Sequence, residues 1–296
     1  MNDDFSLWAT IGILSVDLLI AVGAICALRY LQGLLAGVDT TTELAARDNY
    51  AFGISIAGGT LALALVLAGA VSGEASDGLL AEAWNVAAYA IVGIVLLKVG
   101  TVINDQVIFH QFSLKQQVHE NNIAAGIVQA ANLIALGLII NTATHWVESD
   151  SWLGTFSVIL IFFAAQVVLL AVTWLRGRIY EKRHKGERLQ IALEKGNSAL
   201  AIRYMGHLLS AAFGVKAASG LLAYQSFGLT GLIFNWLFVA LVITAVISGL
   251  AALARRAVLH NINVVEEVDE QQNIGVASIE ATLFIAIGLI VSSLLG

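Results

Sequence analysis

The sequence contains no proline and one cysteine, Cys26, and only 12% of its 296 residues are charged. Without proline, no helix is broken or kinked by a missing N–H or a pyrrolidine clash. A single cysteine excludes an intramolecular disulfide and the two-cysteine redox and zinc motifs, leaving Cys26 as a small apolar filler. A soluble domain carries roughly 25% charged residues. Here the charges form short islands between long apolar runs, and 58% of the chain is hydrophobic, the pattern of a chain solvated by lipid. Also missing are a Walker loop, a Rossmann glycine pattern, a His-Glu-x-x-His pair and a nucleophile elbow. The expectation is therefore a non-enzymatic protein without a cofactor. A net charge of −6 leaves no footprint for nucleic acid. The start, Met1-Asn2-Asp3-Asp4, is acidic where a signal peptide needs a basic region, so the first run is expected to be a retained span.

Eight apolar runs of 21–25 residues follow one another: Leu7–Leu28, Ala51–Val71, Ala83–Ile103, Ile123–Trp146, Trp152–Leu175, Ala199–Ala223, Leu229–Leu253 and Ile274–Leu295. At 1.5 Å per residue each is long enough for a hydrocarbon core of ~30 Å. Long connectors (about 29–50, 104–122, 176–198 and 254–273) alternate with short ones, and twelve of the fifteen lysines and arginines sit in the long ones. The short connectors and the termini carry acids instead: Asp3, Asp4, Glu74, Asp77, Glu82, Glu148 and Asp150. The positive-inside rule then puts the long connectors in the cytoplasm and both termini outside. Tryptophans Trp8, Trp84, Trp146, Trp152 and Trp236 fall near the expected outer interface, and Trp174 near the inner one.

Each even-numbered run opens on the same pattern, an asparagine followed by small residues at matched spacing. It reads Asn49-Tyr-Ala-Phe-Gly, Asn122-Ile-Ala-Ala-Gly, Asn197-Ser-Ala-Leu-Ala and Asn273-Ile-Gly-Val-Ala, with the asparagines 73, 75 and 76 residues apart. Recurrence at a fixed period marks an internal repeat. Each asparagine stands where a helix begins and can accept from first-turn N–H groups, with Asp48, Glu120, Glu194 or Glu270 just before it to complement the positive helix end. Two spans per unit give every copy the same orientation. The expected fold is thus an all-α integral membrane protein of eight transmembrane helices, arranged as four tandem parallel two-helix repeats rather than inverted ones. These group into four-helix units over residues 1–147 and 148–296. A ring and a pair of bundles both satisfy this.

These helix starts, with connector stretches such as Asp105-Gln-Val-Ile-Phe-His-Gln-Phe-Ser and Asp39-Thr-Thr-Thr-Glu-Leu, resemble the "domain of unknown function 350" family of bacterial inner-membrane proteins (YjfL-like). The resemblance spans nearly the whole chain as two tandem four-helix copies. The third connector, Arg176 to Lys195, departs from it, being strongly basic. The resemblance implies an inner-membrane location and supplies no catalytic or binding residue.

Charged groups inside a span point to function unless they can reach an interface. Lys98, Arg203 and Lys216 are long enough to snorkel. Asp17, ten residues into the first run, is not. Glu280 lies seven residues past Asn273 on the same helix face, about 10 Å deep. Its counterparts in the other copies are Ile56, Gln129 and Tyr204, so three of four are polar and this face looks into protein or water. Arg203 stands at nearly the depth of Glu280 and can pair with it. Asn132, Asn141 and Gln166 are expected to hydrogen-bond between helices. His110, His119, His260 and the acidic cluster Glu266, Glu267, Asp269 and Glu270 lack metal-ligand spacing. The basic run Arg176–Arg188 suits anionic lipid headgroups, though topology determination explains it equally well, and Phe109 and Phe112 suggest connectors lying on the inner membrane surface.

Two readings follow. In one, the even helices line a path for a small ion or proton, as a channel or ion-coupled transporter. In the other, small-residue faces make the protein a membrane scaffold or envelope-stress component that acts as a homo-oligomer or through protein partners.

Overall fold

A computed structural model of the chain describes residues 2–71, 79–147, 152–224 and 228–296. The acids Glu74, Asp77, Glu148 and Asp150 lie outside the described residues, as do the side chains of Asp3, Asp4, Trp8, Glu82 and Trp152. The described secondary structure is all helical. Eight long helices are present: α1 (Asn2–Ala36), α2 (Tyr50–Val71), α3 (Leu79–Ile103), α5 (Ile123–Trp146), α6 (Trp152–Arg183), α8 (Ser198–Leu221), α9 (Leu229–Val258) and α10 (Ile274–Leu295). Two short helices, α4 (Leu114–His119) and α7 (Leu189–Glu194), lie in the second and third connectors. π-helical turns at Thr42–Ala46, Asn104–Ile108 and Glu266–Glu270 complete the connector side.

Seven of the long helices are apolar enough to cross a membrane. The exception is α8, which carries Arg203, His207 and Lys216. It is enclosed by its neighbours along most of its length, and a helix surrounded by protein does not need a lipophilic surface. Three helices outrun their apolar segments: α1 continues past Leu28, α6 past Leu175 and α9 past Leu253. At 1.5 Å per residue the 32 residues of α6 reach about 48 Å. Arg176, Arg178, Lys182 and Arg183 are therefore helical rather than part of a connector. Lysine and arginine are good helix formers and suit the negative end of the helix dipole.

The helices form two staggered rows. The inner row is α2, α5, α8 and α10, each packed along its length on the next. In the outer row α3 packs against α2 and α5, α6 against α5 and α8, and α9 against α8 and α10, while α1 closes the end beside α2 and α3. The inner helices are parallel: Ala51 meets Gly126 and Ala62 meets Gly137 farther along the same seam. The backbones approach so closely that a Cβ on Gly58 would stand 2.5 Å from the Ala130 Cα, and one on Gly206 2.4 Å from the Ala281 Cα. Lipid tails provide no hydrophobic drive between helices, so contact of this kind holds them together. Among the described residues no packed interface joins α10 back to α2. The arrangement is an open row with a continuous α5–α8 seam, neither a closed ring nor two separate bundles.

One connector expectation is corrected. Phe109 and Phe112 do not lie on a membrane surface. They are buried, edge to face at 5.8 Å, and Phe109 packs on Tyr204 at 5.6 Å, because the connectors fold back under the helix row. Trp236, in α9, is also fully buried, stacked on Trp146 and donating to Ser219.

Candidate functional site

The four repeat asparagines organise the connector side. Asn49, Asn122, Asn197 and Asn273 each accept, through Oδ1, the backbone N–H three residues later, the capping bond expected from the sequence. The residue before each one is left-handed: Asp48, Asn121, Gly196 and Gln272 have φ of 46°, 63°, 88° and 56°. The Nδ2 groups do something the sequence does not announce. Asn49 donates to the carbonyls of Val118 and His119, Asn122 to those of Leu193 and Glu194, and Asn197 to those of Val268 and Asp269. Each helix start is thereby tied to the following connector. Asn273, at the end of the row, donates to Glu267 instead, as Asn49 also does to Glu43. Burial opposes ionisation of Glu43, but hydrogen bonds from Asn49 and Arg47 outweigh it and hold the carboxyl below the ordinary range.

Above this layer each half encloses a cavity, about 550 Å³ in the first half and about 190 Å³ in the second. The asparagines set the register between the halves: Asn49 and Asn197 are 148 residues apart, and Asn122 and Asn273 are 151 apart. In that register the two cavities have equivalent walls. Leu28, Ser55 and Gly59 in the first stand where Arg176, Arg203 and His207 stand in the second. Asn104, Val118 and Gln129 correspond in the same way to Arg255, Asp269 and Glu280. One architectural cavity thus occurs twice, neutral at six wall positions in the first copy and ionisable at all six in the second.

The second cavity is held by a charge network. Glu280 is fully buried, and its two oxygens are each 2.7 Å from an arginine, Oε2 from Arg203 Nε and Oε1 from Arg255 Nη1. Arg203 also donates through Nη1 to Asp269 and through Nη2 to the Val264 carbonyl at 2.7 Å. His184 Nε2 stands 3.5 Å from Asp269 Oδ2. Burial pushes the Asp269 carboxyl above its usual range, against the pull of Arg203. Arg176 lies over the Phe284 ring, 5.4 Å from its centroid, and its buried Nε has no hydrogen-bond partner. His207 packs edge-on to the same ring with Nδ1 unpartnered.

The expected site residues divide into three groups. Glu280, Arg203 and Tyr204 converge on the second cavity, where the Tyr204 hydroxyl shares a 2.7 Å hydrogen bond with Thr173. Gln129 and Lys98 line the first. Asp17 is buried in α1 and lines neither. Asn141 does bridge helices, donating to the Leu65 carbonyl at 2.8 Å. Gln166 does not, since neither side-chain atom finds a partner. Arg176, Arg255, Asp269 and His207 were missed as site residues. Overlaying the two halves in the asparagine register would have exposed them, as ionisable groups opposite Leu28, Asn104, Val118 and Gly59.

Residues 6–144 and 150–295 each match the family described as Domain of Unknown Function (DUF350). A UPF0719 transmembrane protein of Aquifex aeolicus (strain VF5) is 29% identical over 93 residues. That alignment covers 31% of this chain and 35% of the relative, so the chain matches about a third of the relative's length. No solved structure matches.

Proposed function

The chain belongs to the DUF350 family, and we propose that it is a channel or ion-coupled transporter of the bacterial plasma membrane. In this reading all eight long helices span the bilayer, in four-helix units over residues 1–147 and 148–296. The long basic connectors face the cytoplasm, both termini face outward, and the polar route runs along α2, α5, α8 and α10. The enclosed α8 crosses inside a sheath of the other helices. The observation that carries the reading is Glu280, a fully buried acid on a membrane-length helix that borders a cavity. Ionisable groups kept at such depth mark ion or proton pathways, and Gln129 supplies the equivalent polar position in the other half.

The test is flux in liposomes containing the purified full chain. Under imposed proton and ion gradients, wild type should conduct or exchange, Glu280→Gln should lose at least tenfold in rate, and Asp17→Asn, remote from both cavities, should retain it. If no gradient drives flux through folded wild-type protein, the transport reading fails. Stable higher oligomers in the same preparation would then favour the scaffold.

A further inference from the structure

We propose that the second-half cavity binds an oxyanion of the phosphate class, held by Arg176 together with Arg183 and Arg255. This deepens the transport reading by naming a ligand for its site, and rests on that reading only for the step from binding to movement. The argument begins with charge. Four arginines, Arg176, Arg183, Arg203 and Arg255, line the cavity with only two acids, Asp269 and Glu280. Arg203 is engaged at all three nitrogens, its Nε, Nη1 and Nη2 donating to Glu280, Asp269 and Val264. Arg255 spends Nη1 on Glu280 and keeps further donors. Arg176 Nε is buried without a hydrogen bond, and His207, only 6% exposed, presents an unpartnered Nδ1 to the same space.

Unmatched positive charge in a low-dielectric site is costly, and neutralisation by an anion relieves it. Guanidinium groups present planar, paired donors that match the oxygens of a phosphate better than any other side chain. The repeat supplies an independent control. The first-half cavity has the same walls but places leucine, serine and asparagine where the second has Arg176, Arg203 and Arg255. The enclosure itself therefore does not require arginines, and their presence in one copy alone is a property of what that copy holds. The cavity stands at the connector end of α6, α8 and α9, within reach of a phospholipid headgroup and of free inorganic phosphate, which share the chemistry.

Binding to the purified full chain in detergent decides the matter without any flux measurement. In one arm, radiolabelled inorganic phosphate is titrated at low ionic strength. In the other, the protein is loaded with phosphatidylglycerol and then exchanged into phosphate-free maltoside detergent micelles, and retained lipid is counted. One equivalent of phosphate bound saturably identifies a free oxyanion. One retained phosphatidylglycerol with no phosphate binding identifies a lipid headgroup. In either case Arg176→Gln, and separately Arg183→Gln as a variant at the less enclosed rim, should weaken binding at least tenfold. Lys98→Gln in the first cavity should leave it unchanged. No saturable binding of either probe overturns the proposal, as does binding unaffected by Arg183→Gln in protein with a wild-type circular dichroism spectrum. Anion binding without flux would leave this site standing and defeat the transport reading. Cation flux without anion binding would do the reverse.

Discussion

Arg203 and Glu280 face each other across the α8–α10 seam with 2.7 Å between Nε and Oε2, and each also holds a second charged partner, Asp269 and Arg255 respectively. The first half has Ser55 and Gln129 at these positions. Removing one partner of a buried ion pair leaves the other charge uncompensated and costs about 3–5 kcal/mol, whereas exchanging the whole set for neutral groups is far milder. Glu280→Gln should therefore lower the thermal midpoint more than the quadruple change Glu280→Gln, Arg203→Ser, Asp269→Val, Arg255→Asn, which installs the first-half residues at all four members of the network. Unfolding of both variants in detergent checks the order. A quadruple variant less stable than the single one refutes it.

The asparagine links give a graded prediction. Serine at these positions keeps an oxygen for the helix cap but loses the Nδ2 donor that reaches the next connector. Asn49→Ser, Asn122→Ser and Asn197→Ser each leave two carbonyls without their donor and should cost about 1–3 kcal/mol. Asn273→Ser loses only the exposed bond to Glu267 and should cost less, about 0.5–1.5 kcal/mol. Hydrogen exchange adds a local readout: Asn122→Ser should speed exchange in Leu189–Glu194, whose last two carbonyls it holds, while Asn273→Ser leaves that segment untouched.

The close seams are testable by adding bulk. A Cβ on Gly58 or Gly206 would fall well inside contact distance of backbone, at Ala130 and Ala281 respectively, and no rotamer change relieves a backbone clash. Gly206→Leu and Gly58→Leu should each destabilise by more than the 1–3 kcal/mol or so of ordinary overpacking and reduce the yield of monodisperse protein. Gly177→Leu, with open space around it, should not. A tolerated Gly206→Leu, judged by size exclusion and melting, would contradict the packing described.

Acid should weaken the first connector through Glu43. Its folded carboxyl is held below the ordinary range by Asn49 and Arg47. The stabilisation is fully present above the unfolded value of about 4.3 and is lost as pH falls through the lower folded value. Between pH 6 and pH 3, wild type should lose more stability than Glu43→Gln, which has no proton to take up. Equal slopes for the two proteins would show that the carboxylate contributes nothing.

Much of the architecture is legible from the chain because lipid imposes a length rule that local sequence obeys. The asparagine starts fix where α2, α5, α8 and α10 begin, and the depth of Arg203 and Glu280 makes their pairing foreseeable. The ends of α6 and α9 are less legible, since charge marks the edge of the hydrocarbon and not the end of a helix. That is why Arg176 reads as connector while it sits in the wall of a cavity. Asp17 shows the opposite failure. Its depth is readable, but α1 is apolar on all sides, so no periodicity says which way the carboxylate turns. His207 carries no local signal; only alignment with Gly59 across the duplication singles it out.

The links from Asn49, Asn122 and Asn197 all run forward, each to carbonyls 69–72 residues later in the chain. A chain made from its N-terminus therefore inserts every helix pair before the clasp for that pair exists. The first pair is fastened only when the second connector emerges, the second by the third, the third by the fourth. Truncation before the next connector leaves the last pair made unfastened, so maturation advances like a zip whose final tooth, Asn273, closes on its own connector.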